Sequence, residues 1–180
     1  MRTVRVVAVT VLMVLAAVAQ GSVVARLPWP GPGEPQVAAL AVAAVALSAG
    51  ARAGMFCGFG TGLLLDVLPP AAHAIGQWAF VLCLLGYVVG AVAQDAARSL
   101  PSAIVVGTVG AALAPTAFAA LGIALRDPRA DLLATLERAP TSAFWTLLFA
   151  LVVLPPFRWR RPVRTGSGDF QPAIRPLALR

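Results

Sequence analysis

Long apolar runs separated by short polar stretches form the main pattern of this 180-residue chain. Four runs are clear, and they occupy residues 4–25, 74–93, 102–125 and 141–157. As helices rising about 1.5 Å per residue, they approach or exceed the roughly 30 Å of a bilayer's hydrocarbon core. A fifth apolar stretch, 36–68, is too long for one ordinary span. The pattern predicts an all-α integral membrane protein with a single transmembrane domain over 1–157.

The stretch 36–68 fits either one long helix or two short segments, 36–49 and 53–68, that turn at Arg52. With two segments, ten of the fourteen arginines lie on one side of the membrane and four on the other. With one helix the arginines are divided less unequally between the two sides, and Arg52 enters hydrocarbon at a cost of about 2.5 to 3.5 kcal/mol. Because arginine-rich segments stay cytoplasmic, the count favours about six segments with both termini in the cytoplasm. The two short segments could also form a re-entrant hairpin with the same sidedness.

The two chain ends and the first loop carry most of the remaining signals. Arg2, Arg5 and the small residues at 17–19 also fit a cleavable signal peptide, but the length of run 4–25 favours a first membrane helix. The proline-rich stretch 28–35 cannot continue a helix and predicts a loop. The tail 158–180 lacks an apolar period and is predicted to be disordered and cytoplasmic. Its arginines either stop and orient the last segment or contact anionic lipid, the candidates being Arg158, Arg160, Arg161 and Arg164.

Composition supports the membrane interpretation. Hydrophobic residues make up 59% of the chain and charged residues 12%, and the mean hydropathy is +0.86, which excludes an ordinary soluble domain. The net charge of +7 comes from arginine alone. In a membrane protein such a surplus chiefly sets orientation, so no nucleic-acid partner is expected.

Glycines recur at every fourth position through segment three. Gly50, Gly54, Gly58 and Gly62 would lie along one stripe of a helix, and Asp66 continues the series. Small residues at this spacing let another helix backbone approach closely in lipid. We therefore expect segment three at the centre of the bundle.

Asp66 lies about one turn from the outer end of segment three, just before Pro69 and Pro70. A carboxylate at that depth still needs partners, and His73, Gln77 or a helix N-terminus could supply them. Two alternatives stay open. Either Asp66 caps the entrance of segment four or fixes a loop, or it binds a partner or ligand, in which case Asp66, His73 and Gln77 line an outer pocket.

Segment four repeats the small-residue pattern with Gly76, Gly86 and Gly90, which are predicted to pack against other helices. Tyr87 follows Gly86, and its hydroxyl is expected to find a partner within the bundle. The only histidine, His73, has no second histidine or cysteine nearby, so no metal site is expected. No cofactor motif, no nucleophile with a paired base and no pair of intramembrane carboxylates occurs, and the chain is not expected to be an enzyme.

The order Gly58, Gly62, Asp66, Gly76, then Gly86-Tyr87 and Gly90 resembles the rod shape-determining protein MreD family of the bacterial plasma membrane. The resemblance rests on residues 58–90; the rest agrees only in length and hydropathy. It implies a non-enzymatic scaffold of the cell-wall elongation machinery that controls cell shape. The implied partners are an MreC-type membrane protein and, through it, MreB and the penicillin-binding and glycosyltransferase peptidoglycan synthases, and self-association stays open.

The same resemblance implies a fold similar to the substrate-binding subunits of energy-coupling-factor transporters, which have an outward cavity. The alternative function is therefore a small-molecule (vitamin) capture subunit of such an importer. The proline-rich first loop, the absence of lysine and the arginine-rich tail depart from a typical family member.

Overall fold

The structure is a computed structural model, and it describes residues 2–69, 74–95 and 99–158. These residues form six α-helices and one short 3-10 turn, Val24–Arg26, with no strand among them. The helices are α1 Arg2–Ser22, α2 Val37–Ala49, α3 Ala51–Val67, α4 Gln77–Asp95, α5 Leu100–Ala124 and α6 Leu132–Arg158. The chain is thus all-helical in the part described, as the apolar runs predict.

Three stretches are long and apolar enough to cross a membrane by length and composition, namely Val6–Arg26, Leu100–Ala124 and Leu132–Pro155. Val37–Ala49 and Gln77–Ala93 are apolar but shorter. Large apolar side chains on the outside of the bundle, such as Val6, Phe56 and Val152, are more than half exposed. Such an apolar exterior is typical of a protein solvated by lipid.

The stretch 36–68 forms two helices rather than one. They meet at Gly50, whose φ of 92° lies in the left-handed region that favours glycine, and not at Arg52. The Gly50 N–H closes α2 on the carbonyl of Ala46, and the Gly50 carbonyl accepts the N–H of Gly54 at the start of α3. As helices, α2 and α3 span about 20 and 25 Å.

Helix α2 lies at the centre of the bundle and packs against all five other α-helices. Its residues from Ala38 to Leu47 are all buried, and its many alanines let its neighbours approach closely. The expectation that segment three is central is therefore wrong: α3 buries one face and exposes Phe56, Phe59 and Leu63 on another.

Helix α6 begins at Leu132, nine residues before the segment predicted from Thr141. Asp131 caps it, because its carboxylate accepts the N–H of Ala134 at 3.0 Å and its carbonyl accepts the N–H of Thr135. The hydropathy pattern follows the apolar span from Thr141, and the charged pair Glu137 and Arg138 separates that span from the helix start that Asp131 caps.

Helices α1, α3 and α5 end, and α2, α4 and α6 begin, at the end of the bundle that carries the proline-rich loop. We call it the loop end. Hydrogen bonds join its parts: the Oε1 atom of Gln20 accepts the N–H groups of Val37 and Ala38 at 2.8 and 3.3 Å, and Gln77 Nε2 donates to the Phe118 carbonyl at 2.9 Å. The candidate sites lie here.

Candidate functional site

Helices α3 and α4 form the most extensive helix–helix contact of the described residues. The glycines of α3 face it, because a Cβ atom added to Gly58 would overlap the carbonyl of Leu82, and one added to Gly62 would lie 2.5 Å from the Cα of Ala79. A Cβ on Gly54 would lie 2.5 Å from both the Gly86 carbonyl oxygen and the Ala46 Cβ. No side chain larger than hydrogen fits at these positions without a shift of the backbone opposite.

The contact is reciprocal. A Cβ on Gly86 would overlap the carbonyl of Gly54, and a Cβ on Gly90 would lie 2.5 Å from the Cα of Ala51. Five of the glycines selected from the sequence thus meet along one seam between two helices. Gly50 has a different role, since it forms the turn before α3 and a Cβ added to it would meet nothing within 4 Å.

Gly76 differs from the other selected glycines. An added Cβ would meet nothing within 4 Å, but its φ of 96° lies in the left-handed region. It is therefore needed for the turn that enters α4 and not for close packing. Its N–H donates to Asp66 at 2.9 Å.

Asp66 is buried, with 2% of its surface exposed. Its carboxylate accepts the N–H groups of Gly76, Trp78 and Ala79 at 2.9, 3.0 and 3.1 Å. These are donors that the first turn of a helix leaves without an intrahelical partner, and the helix dipole there favours a negative charge. Asp66 therefore caps α4 from the end of α3, which is one of the two alternatives open from the sequence.

Tyr87 lies on the outer surface of α4 with 51% of its surface exposed. Its hydroxyl forms no hydrogen bond with the residues that the structure describes. The expectation of a partner inside the bundle is not met in this part of the chain.

Three adjoining cavities open at the loop end, and Pro115 of α5 borders all of them. Their volumes are about 340, 230 and 490 Å³. We call them together the loop-end vestibule. Its polar and aromatic lining includes Trp29, Glu34, Gln36, Trp78, Thr135 and Arg138.

The proline-rich loop forms one wall of the vestibule and is fastened to α6. Ser142 Oγ donates to the Glu34 carbonyl at 2.7 Å, and the Gln36 N–H donates to Thr146 Oγ1 at 3.0 Å. The indole rings of Trp29 and Trp145 are 5.2 Å apart between centroids. This loop is thus an ordered part of the bundle.

Glu34 is the half-buried acid of this wall. Burial raises the pKa of its carboxyl above the ordinary 4.5, while a hydrogen bond from Gln20 and the positive charge of Arg138 oppose the rise. The Gln20 amide lies 3.5 Å from the carboxylate. Glu34 and Arg138 line the same cavity, and they do not form a direct ion pair in the described structure.

The three residues of the predicted outer pocket do not come together in one cavity. Gln77 lines the largest of the three cavities and is 3% exposed. Asp66 lines none of the three, and its carboxylate is hydrogen-bonded to the start of α4. His73 lies outside the described residues. Sequence reasoning missed Glu34 and Arg138, although an isolated acid in a proline-rich loop was a usable signal.

The remaining candidates add no site within the described structure. Arg158 is the last residue of α6, and Arg160, Arg161 and Arg164 lie outside the described residues, as does the rest of the predicted tail. Cys57 and Cys83 are free thiols. Among the residues described, no group of three or more histidine, cysteine or acidic side chains could hold a metal ion.

No protein-family model matches the chain. Comparisons with curated proteins and with solved structures also give no match. The resemblance to the MreD family therefore rests on the residues between Gly58 and Gly90.

Proposed function

We propose that this chain is a non-enzymatic membrane scaffold of the bacterial cell-wall elongation machinery, with α3 and α4 as the unit that receives an MreC-type partner. The observation that carries the proposal is the placement of the family-like motif. Its residues Gly58, Gly62, Asp66, Gly86 and Gly90 all serve to join these two helices. A motif whose residues all hold one helix pair together fits a scaffold better than an enzyme.

A rigid pair also presents a defined outer surface. On α3 this surface carries Phe56, Phe59 and Leu63, and on α4 it carries Phe80 and Tyr87, each at least 40% exposed. Helices associate in lipid through close packing and hydrogen bonds between side chains. The exposed Tyr87 hydroxyl gives a partner helix a hydrogen-bonding group on an otherwise apolar surface.

The proposed orientation follows the arginine distribution. The protein is multi-pass in the bacterial plasma membrane, with the loop end outside and both termini in the cytoplasm. MreB and the peptidoglycan synthases would be reached through the MreC-type partner.

Co-purification with an MreC-type protein tests the proposal. Phe59→Ala combined with Leu63→Ala removes apolar bulk from the outer surface of α3 and should release the partner and round the cells. Val105→Ala combined with Val109→Ala does the same on the exposed face of α5 and serves as the matched control. Retention of the partner by the α3 variant, at normal membrane levels, would show that this surface is not the docking site.

The second candidate function is capture of a small molecule for an energy-coupling-factor-type importer. The loop-end vestibule favours it, because its volumes lie in the range of small-molecule sites. Growth on a limiting vitamin, with and without the gene, tests it. Unchanged growth, together with no association with an energy-coupling module, would remove this candidate.

A further inference from the structure

Two side chains of opposite charge in the loop-end vestibule do not form an ion pair with each other. Glu34 and Arg138 both line the cavity of about 340 Å³. The carboxylate of Glu34 has one weak contact, the Gln20 amide at 3.5 Å. Arg138 is exposed at the rim of this cavity and its guanidinium forms no hydrogen bond with the described residues, while its charge still acts on Glu34.

The other acids around the vestibule are already engaged. The Asp127 carboxylate accepts the N–H of Arg129 at 3.0 Å, and the Asp131 carboxylate accepts the N–H of Ala134 at 3.0 Å. Both serve local backbone turns. Glu34 and Arg138 therefore remain as the pair of charges available to a ligand in the first cavity.

We infer that the loop-end vestibule binds a zwitterion, a molecule with an anionic group for Arg138 and a cationic amine for Glu34. A lone anion in this cavity would be repelled by ionised Glu34, and a lone cation by Arg138. A molecule with both charges pairs with both side chains and gives the partly buried carboxylate of Glu34 the cationic partner that it lacks. Trp29 lines the same cavity, and an aromatic ring there can add a cation–π contact with the amine.

The zwitterion has two sources that share this chemistry. One is a free molecule such as an amino alcohol phosphate or an amino acid, and the other is the headgroup of a zwitterionic phospholipid. The inference is independent of the scaffold function. It bears on the second candidate function, because the same vestibule would hold an imported molecule, and direct binding is measured apart from import.

The experiment titrates O-phosphoethanolamine into the full-length protein in detergent by calorimetry, with ethanolamine and inorganic phosphate as probes of single charge. The zwitterion should bind at least about tenfold more tightly than either probe. Glu34→Gln and Arg138→Gln should each weaken binding about tenfold or more. Arg138→Lys keeps the charge and should retain binding, which separates loss of charge from loss of fold.

Matched controls come from neighbouring charges that line none of the three cavities, Glu137→Gln and Arg126→Gln, and both should bind as the unaltered protein does. A second arm compares thermal unfolding in nanodiscs of phosphatidylethanolamine and of phosphatidylglycerol. If the headgroup is the occupant, phosphatidylethanolamine stabilises the protein, and Glu34→Gln and Arg138→Gln abolish the difference. The inference is overturned if neither arm shows a zwitterion effect, or if the control variants lose it equally.

Discussion

Asp66 lies on α3 but caps α4, a role that usually falls to a residue directly before the capped helix. Its three backbone donors belong to the turn and first residues of α4, ten to thirteen positions further along the chain. A buried carboxylate is stable there because hydrogen bonds and the helix dipole replace its hydration. Glu34 is the contrasting case, since its burial is only weakly compensated and its pKa rises.

Asp66→Asn should destabilise the protein, because the amide keeps the shape but loses the charge and part of the accepting capacity. We expect a loss of about 1 to 3 kcal/mol in the free energy of unfolding, measured by thermal or denaturant unfolding in detergent. Asp127→Asn, at an exposed turn, should cost less. Equal losses for the two variants would contradict the capping role of Asp66.

Glu34 should make the stability of the protein fall as the pH rises, whereas an ion-paired acid makes stability rise with pH. Because its pKa is raised in the folded state, folding binds a proton between the unfolded and folded pKa values. The stabilising contribution is complete below the unfolded pKa and is lost as the pH rises through the folded pKa. Glu34→Gln should therefore gain stability relative to the unaltered protein as the pH rises above 4.5, the ordinary pKa of the carboxyl. A melting-temperature difference that stays constant over this range would contradict the raised pKa.

At the scale of elements, two kinds of helix contact hold the bundle. The α3–α4 contact is backbone against backbone and depends on glycine, whereas α2 is surrounded on all sides and depends on alanine. Sequence reasoning found the first kind because glycine spacing marks one face. It missed the central place of α2, since a helix that is apolar all round has no polar face to show which side is buried.

Gly58→Ala and Gly60→Ala form a matched pair on α3. A Cβ on Gly58 overlaps the Leu82 carbonyl, while a Cβ on Gly60 meets nothing within 4 Å. We expect Gly58→Ala to destabilise the protein by about 1 to 3 kcal/mol through overpacking. Gly60→Ala should be neutral or stabilising by up to about 1 kcal/mol, since alanine favours a helix. Unfolding in detergent measures both, and similar effects would contradict the close α3–α4 contact.

At the scale of the molecule, one end of the bundle holds the proline-rich loop, the last residues of α1, α3 and α5, and the first residues of α2, α4 and α6. The helices and the position of Asp66 before segment four were predictable from local pattern. The vestibule was not, because Glu34 and Arg138 are distant in sequence and meet only through the packing of the loop on α6. Hydropathy also did not reveal the start of α6 at Leu132, where Asp131 acts as the cap.

The proposed orientation predicts which positions a membrane-impermeant maleimide reaches in intact spheroplasts. In a Cys57→Ala, Cys83→Ala background, a cysteine at the exposed Pro32 of the loop should be labelled from outside. A cysteine replacing Arg175 in the tail should react only after the membrane is opened. Labelling of Arg175→Cys from outside, with Pro32→Cys protected, would reverse the orientation.

The cap that joins α3 to α4 also bears on how the chain enters the bilayer during synthesis. When α3 leaves the ribosome, the donors for Asp66 have not yet been made, and they are complete only when Ala79 has been added. A hydrocarbon environment penalises a carboxylate without partners. The two helices should therefore leave the translocon laterally as one hairpin, α3 staying beside it until α4 has begun to form.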